Sequence, residues 1–384
     1  MPHERRKELA MRGLLVHEWI EAVGGAERVL DAMADEYPDA DLFGLWNDAP
    51  GRYPGRRVIE SALAPTPLRG RKALSVPFLP ALWSHGLRDL GLYDWALVSS
   101  HLFAHQARVP GVDPERQFTY VHTPARYLWN PELDARGTSV AARLAGPALR
   151  AVDRRRGGAL RHVAANSRFV QQRIRASWDV DAVVIHPPVG VERLTAVDDW
   201  ARELDDCERA LLESLPAGFL LGASRFVPYK RLEVVIEAGR ASARPVVLAG
   251  DGPDLERLRA LAADSDVDVR IVVRPSDALL AALLQRAAVY VFPPVEDFGI
   301  MPVEAMALGT PVVVNALGGA CDSVEPDRSG VVLHDFAPST LRSAVEAAAA
   351  LDGADCRERA DTFSTTRFRR EIGAWTGIPS AVRS

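Results

Sequence analysis

Three cysteines, Cys207, Cys321 and Cys356, are all that 384 residues contain, and they are widely separated and odd in number. That spacing excludes a disulfide framework or a thiolate metal cluster and fits a reducing compartment. A basic excess is also missing: 46 Lys and Arg against 51 Asp and Glu leave a formal charge of −5, and a general nucleic-acid binder would carry more cations. No apolar run approaches the roughly 20 residues that span a bilayer. The opening "MPHERRKELAMRG" has charge with no apolar stretch behind it, unlike a secretory leader. Gly24-Gly25 stands where a dinucleotide-binding oxidoreductase would carry G-x-G-x-x-G. The expectation is a cytoplasmic globular protein with no nucleic-acid partner.

What is abundant is short apolar runs rich in Val, Ile and Leu, alternating with helical patterns. The first half offers strand candidates at 13–18, 40–46, 57–63, 94–100, 117–123, 162–167 and 182–188. The second offers 219–224, 245–252, 269–274, 289–294, 311–319 and 330–336. These runs are apolar nearly throughout, the mark of strands covered on both faces in a parallel sheet. Helical patterns such as "DLERLRALA" (254–262) follow them, so the class is α/β. About thirteen strands exceed what one open twisted sheet holds comfortably. Two Rossmann-like, doubly wound domains facing each other across a cleft are expected. One is 1–190 plus a C-terminal helix over about 366–384 that crosses back; the other is 191–365. In such sheets ligands bind at the carboxyl ends of strands, so the residues just past each strand are the candidates.

Gly24 and Gly25 precede a helix expected to start near Ala26, where free N–H groups can receive an anion; a plain tight turn explains them equally. His122 ends the fifth strand, as a cleft residue or as a capping or core histidine. Tyr127 and Trp129 suit core packing better than stacking on a ligand. Arg225 and Lys230 flank a loop at a strand end and suit a diphosphate, one as a planar fork and the other as a point charge. Arg231 reads as their solvated neighbour. Asp251 and Gly252 in "AGDGPDLERL" read as capping chemistry.

The most informative stretch is "PPVEDFGIMPVEAMALGTPVVV" (293–314), with Glu296 and Glu304 eight positions apart. Gly299 and the amides of Phe298 and Ile300 sit at a helix start and can cradle phosphate or sugar oxygens. Carboxylates accept hydrogen bonds from the adjacent hydroxyls of a ribose or hexose; a metal pair would need His or further acids close by. Glu304 is expected about two residues past a helix start at Pro302, where negative charge is favoured.

This stretch resembles the E-x7-E element of the retaining glycosyltransferases of family GT4, which have the two-domain GT-B fold. "SRFVPYKRLEVVIEA", "AGDGPDLERL", "GGAERVL" and "ANSRFVQQRI" are similar to that family in order, and "HTPARYLW" (122–129) resembles an HTPxRYxW form found in bacterial mannosyltransferases. The resemblance spans about residues 12 to 375. It implies that Arg225 and Lys230 bind the donor diphosphate and that Glu304 holds the ribose. Glu296 and the amides of Phe298, Gly299 and Ile300 would hold the transferred sugar. His122 would touch that sugar, and Gly24 and Gly25 would face the diphosphate and acceptor. Two places depart from the pattern: "GGACDSV" carries Asp322 and Ser323, and Arg274 stands where glycine is common, near the expected base pocket.

The implied activity is retaining transfer of a hexose from a nucleotide diphosphate sugar to an acceptor hydroxyl. GDP-mannose is favoured, with UDP- or another hexose donor left open, and no metal or other cofactor is expected. A nucleotide-sugar epimerase or a sugar phosphorylase on the same fold is the alternative; a non-catalytic nucleotide-binding regulator fits the Arg, Lys and Glu set less well. The acceptor, a small molecule or a glycan- or lipid-linked one, is not legible. "RGRKALSVPFLPALW" (69–83) reads as a partly buried helix in preference to a peripheral membrane contact.

Overall fold

The computed structural model describes residues 11–130 and 140–379. The first ten residues read for a leader, and the last five of the C-terminal helix candidate, lie outside the described residues. The chain divides into two compact units, Met1–Ile185 with Arg369–Ser384, and His186–Phe368.

The first unit holds a seven-stranded sheet in the order β3-β2-β1-β4-β5-β6-β7, parallel throughout. Its strands are β1 (Gly13–Val16), β2 (Asp41–Gly44), β3 (Val58–Glu60), β4 (Trp95–Ser100), β5 (Gln117–Val121), β6 (His162–Ala165) and β7 (Val183–Val184). The apolar runs are continuous because both faces are covered: β1 and β4 are buried along their whole length. The closing helix Thr365–Thr376 enters this unit. Arg369 donates to Glu36 at 3.1 Å, Tyr37 meets Thr376 at 2.6 Å, and Trp375 packs edge-on against Phe118.

The second unit holds β8 (Leu220–Arg225), β9 (Val246–Asp251), β10 (Val269–Val273), β11 (Val289–Phe292), β12 (Val312–Asn315) and β13 (Gly330–Leu333). Its parallel order is β10-β9-β8-β11-β12-β13. Helices cover both faces, one set around Val303, Met306 and Phe363, the other around Val235, Leu258 and Val345. In both sheets the strand order reverses at one place, between β1 and β4 and between β8 and β11. Such reversals leave a crevice outside the carboxyl ends of the strands, where ligands of this architecture bind.

The basic-apolar segment 69–83 folds as short helices, Lys72–Ser75 and Leu79–His85, with Leu79 and Trp83 fully buried. Leu74 and Phe78 stay exposed. Among the described residues no helix is long and apolar enough to cross a membrane.

Candidate active site

In the second unit the reversal point is lined by the loops after β8, β11 and β12. Two glycines set the first loop close to its neighbour. A side chain at Gly250 would lie 1.8 Å from the Ser224 carbonyl, and one at Gly252 would lie 2.4 Å from that of Phe226. Their absence lets Phe226 N–H donate to Asp251 O at 2.7 Å, which holds Arg225 at the strand end. The exposed Arg225 guanidinium donates to the Tyr229 hydroxyl at 3.1 Å. Arg231 adopts a left-handed backbone and lays its guanidinium over Phe336, a packing role apart from Lys230.

Lys230 and Glu296, 66 residues apart, form an ion pair, with side chains only 12% and 21% exposed. Lys230 also lies over the Tyr229 and Phe292 rings. The loop that carries Glu296 is pressed against the one after β12. Gly318, with φ 117°, leaves no side chain against the Glu296 backbone, and a methyl on Gly319 would stand 1.9 Å from the Asp297 carbonyl. Gly319 N–H donates to Glu296 O at 2.7 Å, and the Asn315 amide donates to Pro293 O at 2.9 Å.

Gly299, with φ 89°, caps the helix Ile300–Ala307, and few residues other than glycine adopt that backbone. Phe298 is buried among Phe363 and His186, so its side chain belongs to the core and only its amide is a candidate for a ligand. The helix starts at Ile300, two residues earlier than expected. Pro302 is its third residue and Glu304 its fifth, past the first turn, so the helix N-terminus gives Glu304 less support than the sequence suggested. Both acids act on one buried group. Burial first, then the charges of Glu296 and Glu304, push the Tyr290 hydroxyl well above its usual range, and its O–H donates to Ala223 O at 3.0 Å.

Arg274 holds a left-handed backbone, φ 52°, the conformation that would favour glycine there. Its guanidinium pairs with Asp251, which also accepts from Gly252 N–H at 2.8 Å; both bonds keep the Asp251 carboxyl below its usual range. Asp251 is thus an anchor for Arg274 and caps no helix. Asp254, which begins the following helix, pairs with Arg257.

In the first unit the reversal point gathers residues that the sequence reading passed over. His17 and Glu18 follow β1, Ser99 and Ser100 are the last two residues of β4 with His101 just beyond, and His122 follows β5. Glu18 is fully buried. Its Oε1 accepts from Ser100 Oγ and from the amides of Leu102 and Ala104, and its Oε2 accepts from the His101 amide. Burial alone would raise its pKa; the charges of His101 and His17 and the amide hydrogen bonds prevail and lower it. His17 is pushed down to about 4, chiefly by burial and then by His101. His122 lies well below its ordinary value, again through burial and then His101 and His17.

His17, Glu18 and His101 offer ligand atoms within 4.8 Å of one another. Glu18, however, spends its lone pairs on the loop 100–104 and serves as that loop's anchor. Four Asp-x-Asp triplets occur, at 39–41, 179–181, 264–266 and 266–268, the last two sharing Asp266. Each carries an arginine partner instead: Asp41 with Arg12 and Arg57, Asp181 with Arg175, and Asp266 with Arg240.

Arg173 fixes the loop after His122 by donating to Thr123 Oγ1 at 2.7 Å, to Pro124 O and to Asn130 Oδ1. Trp129 donates to the buried Asp153 at 2.8 Å, and Tyr127 packs on Phe103, so both serve the core. The helix after Gly24 begins at Gly25. Its first turn carries a buried anion of its own, since a side chain at Gly24 would lie 1.9 Å from the Glu27 carboxylate. The missed residues had a signal: "GLLVHE" and "DWALVSS" end in them, and the strand-end rule that singled out His122 reaches them too.

Residues 209–362 match the family of glycosyl transferases group 1. A GDP-mannose-dependent alpha-(1-6)-phosphatidylinositol monomannoside mannosyltransferase of Mycobacterium tuberculosis is 26% identical over 344 residues, 84% of this chain and 81% of its own length. A D-inositol 3-phosphate glycosyltransferase of Jonesia denitrificans is 31% identical over 183 residues, 43% of this chain and 42% of its own. Among solved structures, Anabaena Alr3699/HepE in complex with UDP is similar at a TM-score of 0.67 and 16% identity, covering 95% of this chain and 99% of that one. The two parallel sheets and this likeness show a GT-B fold, and the second unit carries the glycosyl transferases group 1 segment.

Proposed function

We propose that the protein is a retaining glycosyltransferase that moves a hexose from a nucleotide diphosphate sugar to an acceptor hydroxyl in the cytoplasm. The observation that carries this reading is the convergence of Lys230, Glu296 and Arg225 at the strand ends of a segment matching glycosyl transferases group 1. GDP-mannose is the first donor to test, because the relative similar over most of this chain is named for it; UDP- and other hexose donors come next. Arg225 and Lys230 neutralise the donor diphosphate, Glu304 takes the ribose, and Glu296 takes the sugar with the amides from Phe298 to Ile300. Arg274 lies by the base.

In the reaction the bond from the sugar's anomeric carbon to the diphosphate oxygen breaks, and the acceptor oxygen bonds that carbon on the same face. The acceptor proton passes to the leaving phosphate. The protein then needs to position the partners and stabilise growing negative charge, which fixed cations do without a divalent metal. The test is a set of GDP-, UDP-, ADP- and dTDP-hexoses, measured for binding and for slow hydrolysis without acceptor, with and without EDTA. One donor is expected to bind and hydrolyse in both conditions. Failure of every donor to bind would overturn the reading, and an epimerised sugar or strict dependence on free phosphate would establish the alternative chemistry.

A further inference from the structure

His122 makes one hydrogen bond through Nε2, to Ser99 Oγ at 2.8 Å. The same hydroxyl lies 3.0 Å from His17 Nδ1, which is also 3.2 Å from the Ser99 carbonyl. A carbonyl only accepts, so His17 Nδ1 carries a hydrogen and shares it between the carbonyl and Oγ. Ser99 Oγ therefore cannot donate to His17. Ser99 is fully buried, and its hydroxyl hydrogen has no other acceptor among the described residues than His122 Nε2. Had His122 carried its proton on Nε2, that buried O–H would stand without a partner, an arrangement folded proteins avoid.

We propose that Ser99, oriented by His17, locks His122 in the Nδ1–H form, so that His122 meets the substrate as a hydrogen-bond donor to a sugar oxygen and not as a base. His122 is half-buried, and among the described residues its only ring hydrogen bond is the one at Nε2, so Nδ1–H is the donor left for a ligand. The neighbouring rings do not compete for it: His17, His101 and Tyr120 lie 6.4, 6.3 and 5.2 Å away, centroid to centroid, and all three meet it edge-on. Ser99 and His17 are positioning residues here, acting through His122. The part that concerns the sugar rests on the glycosyl-transfer reading above; the part that concerns the proton does not.

The experiment is nitrogen NMR on the whole protein labelled at histidine, with the His122 signals identified by their loss in His122→Asn. The unmodified protein should show His122 protonated on Nδ1 near neutral pH; a proton on Nε2 overturns the proposal with no variant needed. Ser99→Ala should release the ring into a mixture of the two forms and lower turnover about tenfold with nucleotide affinity unchanged. His122→Asn, whose amide N–H stands near the place of Nδ1–H, should keep about tenfold more turnover than His122→Gln. Equal loss in the two variants would overturn the donor role. A protein that uses no nucleotide sugar at all would fail the functional reading, while the NMR result would still decide the tautomer.

Discussion

In the absence of donor, Lys230 already has an anionic partner in Glu296, and a diphosphate must compete with it. Two unit charges about 4 Å apart near a protein surface attract by about 4 kcal/mol before costs are counted. Desolvation and the ordering of two side chains return most of that, so a pair this sheltered, at 12% and 21% exposed, retains about 1–2 kcal/mol. Glu296→Gln frees Lys230, and the free nucleoside diphosphate should bind about 5- to 30-fold more tightly, at 1.4 kcal/mol per tenfold. Turnover of the intact donor should nonetheless fall, because the sugar loses its carboxylate. Calorimetric titration of GDP and UDP into the parent, Glu296→Gln, Lys230→Ala and the double variant closes a cycle that isolates the pair. In the Lys230→Ala background the gain from Glu296→Gln should vanish. If Glu296→Gln binds nucleotide no more tightly than the parent, or if the gain persists without Lys230, the competition argued here is wrong.

Arg225→Ala should cost about 100-fold in turnover, about 3 kcal/mol of transition-state charge stabilisation, and a loss under threefold in steady-state rates would remove Arg225 from the clamp. His17 makes stability sensitive to acid. Its folded pKa of about 4 lies below the ordinary histidine value of 6.5, so its contribution is present above pH 6.5 and is lost as pH falls towards 4. Between pH 7 and 5 the loss from this group is about 2 kcal/mol, and urea unfolding of His17→Phe should show a pH dependence smaller by about that amount. Gly319→Ala would drive a methyl to 1.9 Å from the Asp297 carbonyl; the two loops must part, with a lowered melting temperature and weakened donor binding, and an unchanged melting temperature would refute the packing described.

Every apolar run became a strand, and the inner strands were the most legible because burial on both faces writes itself as an unbroken apolar run, while the edge strands β3, β7 and β10 are partly exposed. Boundaries shifted where a run continued past the sheet: "GLLVHE" ends as strand at Val16, and His17 and Glu18 belong to the crevice. The second unit's candidate residues could be listed from the sequence because they lie on three short loops at the carboxyl ends of one sheet's strands. What no linear reading could supply is which of these residues hold each other. The pairing of Lys230 with Glu296 spans 66 positions and depends on β8 and β11 lying side by side. The first unit's site was largely illegible for the same reason. Glu18 reaches amides 83 to 86 positions away, and His17 reaches Ser99 only because β1 and β4 are neighbours. A histidine at a strand end has little meaning until its hydrogen-bond partners are known; given Ser99 and His17, its protonation form follows from counting donors and acceptors. That count also separates two kinds of residue at the crevices. Glu18, Asp251 and Arg173 are committed to backbone or side-chain partners and serve to hold loops. Lys230, Glu296, Arg225 and His122 each keep either a partner that a ligand can replace or a donor that a ligand can use.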